Sequence, residues 1–208
     1  MDLLKSGIND YLVRVLSNSP SPLDEMERYA RQKDFPIIGP LVWRILQQLA
    51  VLTKAKRIFE LGSGYGYSAL WMAMALPPDG IVVCTDNNPD NEPLAKNYFK
   101  QAGQESKLDF RVGDALNMFI KEQGPIDLVL NDIDKERYPD TIALVKERLR
   151  AGGVFVTDNL LWSGRVLESS PDETTLGILR FTEELCNDSD FITSIIPIRD
   201  GISIAVKR

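Results

Sequence analysis

The chain predicts a single α/β domain, a mostly parallel sheet with helices on both faces and a helical extension at its N-terminus. Three observations carry that expectation. From residue 57 to residue 157 short apolar runs alternate with helical patterns, the rhythm of parallel strands joined by right-handed crossovers. The first of these runs ends in a glycine-rich turn, Gly62-Ser63-Gly64-Tyr65-Gly66, just before a helix begins. Each of five expected strands also runs into an acidic residue, and ligands of open parallel sheets sit at those carboxyl ends.

Taken in order, residues 2–17 carry Leu3, Leu4, Ile8, Leu12 and Val15 at helical spacing. Ser19-Pro20-Ser21-Pro22 breaks that helix, and a second, charged one follows near 23–33. After Phe35-Pro36 a third, amphipathic helix spans about 39–52, with Val42, Ile45, Leu46 and Leu49 on one face. These N-terminal helices occupy residues 1–54 and the α/β core residues 55–208 of one domain. Within the core, strands are expected at 57–61, 81–86, 108–112, 126–131 and 153–157. Helices fall between them at about 67–76, 90–102, 114–122 and 138–149. Near the end, apolar runs at 191–197 and 202–207 flank Arg199-Asp200-Gly201, the turn signal of an antiparallel pair.

Composition narrows the function. The 208 residues, 44% hydrophobic and 26% charged, are ordinary for a soluble globular protein. No apolar run approaches the ~20 residues of a membrane span. The start, Met1-Asp2-Leu3-Leu4-Lys5, lacks the basic region and long apolar stretch of a signal peptide, which predicts a cytoplasmic protein. Cys84, in a strand, and Cys186, on a helix, make neither a disulfide framework nor a zinc site; both are expected to be buried thiols in a reducing compartment. There is no histidine, which excludes Ser-His-Asp hydrolysis and histidine-ligated metals. Carboxylates, lysine and tyrosine remain for acid–base or metal work. The net charge of −6 argues against a general nucleic-acid binder. Residues 1–57 nevertheless hold nine Lys/Arg against six Asp/Glu, which fits a solvated helical surface or a face meeting an anionic substrate.

The glycines are spaced G-x-G-x-G, whereas the dinucleotide fingerprint would need glycine at position 67, where Tyr67 stands. With Glu60 closing the strand, the turn favours S-adenosylmethionine (SAM), which has no phosphate, over NAD or ATP. Asp86, ending the second strand, can accept hydrogen bonds from ribose hydroxyls or cap a helix. Gly113-Asp114-Ala115 stands where an adenine edge would lie, and Asp114 serves equally well as a helix cap. Asp132, Asp158 and Asn159 offer three hard oxygens from neighbouring strand ends, a set suited to Mg²⁺. Lys135, three residues past Asp132, is placed either as a general base beside such an ion or as a surface lysine paired with Asp134.

These residues carry a family resemblance. The chain from about residue 40 onward resembles the metal-dependent class I SAM O-methyltransferases, the family of catechol and caffeoyl-CoA O-methyltransferases, and especially their bacterial branch. The matching segments are Phe59-Glu60-Leu61-Gly62 through Gly66-Tyr67-Ser68, and Ala75-Leu76-Pro77-Pro78-Asp79-Gly80. They continue in Asp132-Ile133-Asp134-Lys135-Glu136-Arg137-Tyr138 and in Asp158-Asn159-Leu160-Leu161-Trp162-Ser163-Gly164, with Pro197-Ile198-Arg199-Asp200-Gly201 at the end. The paired D-x-D-K and D-N-x-L-W-x-G segments are specific; the glycine turn alone is not.

The resemblance implies a Rossmann-like methyltransferase fold, a seven-stranded sheet with an antiparallel last strand, and a homodimer. It implies Asp132, Asp158 and Asn159 as metal ligands, for Mg²⁺ first and otherwise Ca²⁺ or Mn²⁺. Asp132 and Lys135 become the catalytic pair, with Lys135 as base. Glu60, Gly62, Gly64, Ser68, Asp86, Asp114, Ala115 and Asp132 fall on the SAM side. The implied acceptor is a catechol-like aromatic or another vicinal diol. A tRNA hydroxyuridine methyltransferase of the same family, marked by steep loss of binding with salt, is the alternative. A non-catalytic SAM-binding protein is another, although it would need no metal site. Two departures stand out. Where the family often has a Glu-Gly-Gln type segment, this chain has Ile37-Ile38-Gly39-Pro40-Leu41, so contacts there would come from backbone and the acceptor pocket is atypical. Asn131 stands before Asp132 where a valine-like residue is usual, a matter of packing more than chemistry.

Overall fold

Largely apolar runs at 57–61, 81–86 and 126–131 become interior strands with both of their faces buried, as the strands of a covered parallel sheet require. The computed structural model describes residues 7–16 and 21–208; Leu3, Leu4, Ser19 and Pro20 of the expected first helix and its break lie outside them. Strands β1 (Arg57–Leu61), β2 (Ile81–Asp86), β3 (Leu108–Val112), β4 (Ile126–Asn131), β5 (Leu149–Thr157), β6 (Phe191–Ile196) and β7 (Ile202–Lys207) form one seven-stranded sheet. Its order is β3-β2-β1-β4-β5-β7-β6. Strands β1 to β5 pair in parallel, and β7 runs antiparallel between β5 and β6, as expected for the last strand.

Successive residues of the central strands feed two cores. Leu128, Leu130 and Val156 face the core shared with α2 (Ser21–Lys33), α3 (Gly39–Leu52), α4 (Tyr67–Ala75) and α5 (Asn91–Gln101). Val129, Phe155 and Phe59 face the core shared with α6 (Ala115–Ile120), α7 (Tyr138–Arg148) and α8 (Glu173–Asn187). The N-terminal helices dock through aromatic contacts: Trp43 of α3 stacks on Trp71 of α4 with centroids 3.4 Å apart and planes 2° from parallel. Helix α1 (Ile8–Leu16) contributes less, and Val15 of its expected apolar face is 60% exposed.

Two expectations are corrected. Strand β5 begins at Leu149 rather than 153, because Leu149 already pairs with Ile126 before the register shifts to Leu128 and Val154. The bulge between them holds Gly152 at φ +71, a conformation glycine takes freely. Cys186 is exposed, not buried, while Cys84 is buried as expected. Helix α8 buries Ile178, Phe181 and Leu185, and the residue after Leu185 is turned about 100° away from that stripe.

The sheet order matters for function. The chain leaves β1 toward β2 and β3 on one side and toward β4 and β5 on the other. The crossovers part there, opening a crevice beyond the carboxyl ends of β1 and β4.

Candidate active site

The glycine turn sits where those two strands end, and its glycines have separate structural reasons. Gly62 adopts φ +80, and a Cβ there would lie 2.5 Å from the Asp132 carbonyl oxygen, so glycine is needed for β1 and β4 to close together. The Asp132 N–H then donates to the Leu61 carbonyl at 2.9 Å. Gly64 leaves room for the Phe35 ring, which a Cβ would meet at 2.9 Å. Its N–H donates to Asp86 Oδ2 at 2.9 Å.

Beneath the turn, Glu60 is fully buried. The Ser68 hydroxyl donates to Glu60 Oε1, and the Cys84 thiol approaches Oε2 at 3.8 Å. Burial, only partly offset by these donors, pushes the carboxyl up to about 8. Glu60 therefore does not face the open cleft, and Ser68 reaches only a side pocket of about 40 Å³ under the turn. A stability prediction follows from the sign of that shift. The unfolded chain loses the Glu60 proton above pH 4.5 whereas the folded chain keeps it to about 8. Stability is therefore complete below the lower value and declines as pH rises toward the upper one, by at most roughly 1.4 kcal/mol per pH unit. Glu60→Gln, a neutral isostere, should melt at a higher temperature than the wild type at pH 8, with the gap shrinking toward pH 5. Equal melting temperatures at pH 8 would show that Glu60 is not held protonated.

The cleft above the turn has a volume of about 1000 Å³, the upper end of the range for small-molecule sites. Gly62, Gly64, Asp86, Asp114, Ala115, Asp132, Lys135, Asp158 and Asn159 all line it. On one side, Asp86 accepts from three protein donors: the Gly64 N–H, the Asn88 N–H at 2.8 Å and Asn91 Nδ2 at 2.9 Å. It caps no helix, since α5 starts at Asn91. Asp114 does cap α6, accepting from the Asn117 N–H at 2.8 Å, and pairs with Arg137 at 2.5 Å. The hydrogen bond from Arg137 is the main reason its carboxyl titrates below the usual range.

On the other side, Lys135 Nζ donates to Asp132 Oδ1 at 2.7 Å and to the Ile133 carbonyl at 3.2 Å, rather than pairing with Asp134. Its side chain is 11% exposed, between the rings of Tyr138 and Trp162, whose centroids lie 5.0 and 5.9 Å away. Asp158 is 4% exposed; burial first, and the negative charge of Asp132 second, push it up to about 7. Burial also raises Asp132, against the opposing charges of Lys135 and Arg199. Tyr138 fixes the end of β5 by donating its hydroxyl to the Asp158 carbonyl at 3.0 Å. Asn159 sits at φ +62, and its Nδ2 lies 3.4 Å from Asp200 Oδ2, which leaves its amide oxygen available. Two carboxylates are thus crowded together with one amide oxygen beside them. That set fits a hard divalent cation, whose charge would relieve the repulsion that raises Asp158. Among the described residues no group of three or more His, Cys, Asp or Glu is arranged to hold a metal, so a cation bound here would rely on these two acids and the amide.

The sequence gives no signal for other residues of the site. Phe35 closes over Gly64, the Tyr67 hydroxyl donates to Glu27 Oε1 at 2.8 Å, and Arg199 reaches across to the Ile37 carbonyl at 2.8 Å. Asn131 is fully buried with neither side-chain polar atom partnered. Across the sheet it neighbours Thr157, which neighbours Ser203, and both are buried with unpartnered hydroxyls. The cost of these unpaired groups falls one residue before Asp132 and one before Asp158.

The family described as O-methyltransferase matches residues 18–208. The chain belongs to that family. It is 31% identical over 181 residues to catechol O-methyltransferase of Niastella koreensis, covering 82% of each chain. It is 35% identical over 170 residues to mouse catechol O-methyltransferase domain-containing protein 1, covering 79% of this chain. That match spans 65% of the mouse protein, just under two thirds of its length. Among solved structures, the O-methyltransferase TomG of Streptomyces achromogenes, in complex with SAM, superposes with a TM-score of 0.88 at 28% identity, covering 97% of this chain and 96% of its own. The Bacillus cereus O-methyltransferase, in complex with SAH, gives 0.88 at 25% identity and 97% of both chains. Family and fold together make this protein a SAM-dependent O-methyltransferase.

Proposed function

We propose that the protein methylates one hydroxyl of a catechol-like vicinal diol, using SAM and a divalent cation, Mg²⁺ before Ca²⁺ or Mn²⁺. The observation that carries the reading is the Asp132–Lys135 contact at 2.7 Å beside buried Asp158 and half-buried Asn159, at one side of a cleft whose other side is the glycine turn and Asp86. The named acceptors of the relatives, catechol and flavonoid among them, support it.

In this reading Asp86 and the backbone of Gly62–Gly64 hold the nucleoside part of SAM, with Asp114 and Ala115 beyond. Asp132, Asp158 and Asn159 would hold the cation, which when bound makes a phenol of pKa about 10 available as phenolate near neutral pH. Lys135 Nζ takes the phenol proton as the neutral amine, the form that a neighbouring divalent cation favours over the ammonium paired with Asp132. The phenolate oxygen forms a bond to the methyl carbon as the S–CH₃ bond breaks, leaving S-adenosylhomocysteine. Anion and sulfonium are neutralised together, and holding them in line supplies much of the acceleration. Trp162 and Phe35 shelter the cleft from water. The test is methyl transfer from labelled SAM to a panel of catechols and matched monophenols. Transfer to the diols and not to the monophenols is expected, and equal transfer to both would overturn the vicinal-diol assignment.

The proposal extends to a homodimer, supported by exposed Tyr11, Val15, Val51 and Leu52 on the N-terminal helices, and is read directly from the molar mass in solution against the 23.4 kDa chain. Among the described residues no helix is long and apolar enough to cross a membrane.

A further inference from the structure

Four cationic side chains line the cleft, and three of them have acidic partners. Lys135 contacts Asp132 at 2.7 Å, Arg137 contacts Asp114 at 2.5 Å, and Arg31 lies 3.8 Å from Glu27. Arg199 forms no ion pair among the described residues. Its hydrogen bond to the Ile37 carbonyl, at 2.8 Å, engages one of the five donors a guanidinium carries.

The backbone around it is also unusual. Arg199 occupies φ +50 in the turn between β6 and β7, a left-handed conformation that glycine adopts at lower cost. Strained positions of this kind gather at ligand sites, where the direction of a side chain matters more than the local cost. Here the conformation sends the guanidinium over the rim toward α3, so close that a Cβ on Gly39 would lie 2.8 Å from Nη1. The next residue, Asp200, accepts from the Ser163 N–H and lies 3.4 Å from Asn159 Nδ2, which puts this turn on the side of Asp158 and Asn159 rather than beside Asp86.

We propose that Arg199 binds an anionic substituent of the methyl acceptor, so that catechols bearing a carboxylate are preferred over neutral ones. The planar fork of a guanidinium matches a carboxylate through two parallel N–H···O bonds, and its unused donors supply them. The diol then faces Asp132, Asp158 and Asn159 while the carboxylate lies toward Arg199, with Trp162 lining the same cleft. This rests on the catechol reading of the site.

The experiment compares kcat/KM for 3,4-dihydroxybenzoate and its neutral amide, 3,4-dihydroxybenzamide. Wild type should prefer the acid by about tenfold, the factor that roughly 1.4 kcal/mol supplies. Arg199→Gly suits the left-handed backbone and removes the guanidinium, so the acid-to-amide ratio should fall to about one, chiefly through the KM of the acid. Arg199→Lys keeps the charge without the fork and should retain part of the preference. The ratio is internal to each variant, so partial loss of folded protein does not move it. A wild type that uses both diols equally, or a glycine variant that keeps the preference, would overturn the role of Arg199 and leave the catechol reading standing. A wild type that binds SAM by calorimetry and methylates neither diol would overturn both.

Discussion

Chelating divalent metal should abolish methyl transfer to a catechol while SAM still binds. The two halves of the cleft explain why these should separate. The glycine turn is fixed by protein contacts alone, through the Asp132 N–H to the Leu61 carbonyl and the Gly64 N–H to Asp86, so its shape does not depend on an ion. Asp132, Asp158 and Asn159 are different, since the carboxylates repel each other and the nearest fixed cation, Lys135, contacts Asp132. Stabilisation by a divalent ion amounts to several kcal/mol, and each 1.36 kcal/mol is a factor of ten in rate. Turnover should therefore drop by ~10³-fold or more after treatment with EDTA and return on adding Mg²⁺. Calorimetry on the chelated protein should still report SAM binding. Methyl transfer that continues unchanged under chelation would remove the metal role from all three residues.

The fold was legible where turn residues bound a strand, as at β3 and β7, and less so where a helix passes straight into a strand. Interior strands β1, β2 and β4 read as largely apolar runs because both faces are covered, and their ends match the expected bounds. The start of β5 did not, because Leu149 belongs by periodicity to α7 and joins the sheet through a bulge that only the partner Ile126 reveals. Cys186 was misplaced for a similar reason: a thiol next to Leu185 looks apolar in sequence, and only the rotation of the helix decides its side. The site divides in the same way. Asp86, Asp132 and Asp158 are visible because each ends an apolar run, and the sheet then brings those ends to one rim. Phe35, Glu27 and Arg199 come from the N-terminal helices and the last hairpin, joined to the cleft by tertiary contacts as distant as Arg199 to Ile37, to which sequence spacing gives no clue. Glu60 shows the converse: its position was legible, and its complete burial beneath the turn was not.

Replacing Lys135 by methionine should lower the rate near pH 7 by the ~10²–10⁴-fold typical of losing a general base. The chain has no histidine, so few side chains can accept a proton near neutral pH. Lys135 is placed for the task, with Nζ 2.7 Å from Asp132 Oδ1 and 5.0 and 5.9 Å from the ring centroids of Tyr138 and Trp162. Methionine keeps most of the side-chain volume and removes only the amine, with its contacts to Asp132 and the two rings. SAM binding should therefore persist, because the glycine turn and Asp86 make no contact with the amine. Raising the pH toward the phenol's own pKa of about 10 should restore part of the lost rate, since hydroxide then removes the proton unaided. Wild type should gain much less over the same range, so the two pH profiles should converge upward. If Lys135 only neutralises Asp132, the variant would instead lose a constant factor at every pH, and parallel profiles would assign it to electrostatics rather than proton transfer. Near wild-type activity throughout would remove it from the mechanism altogether.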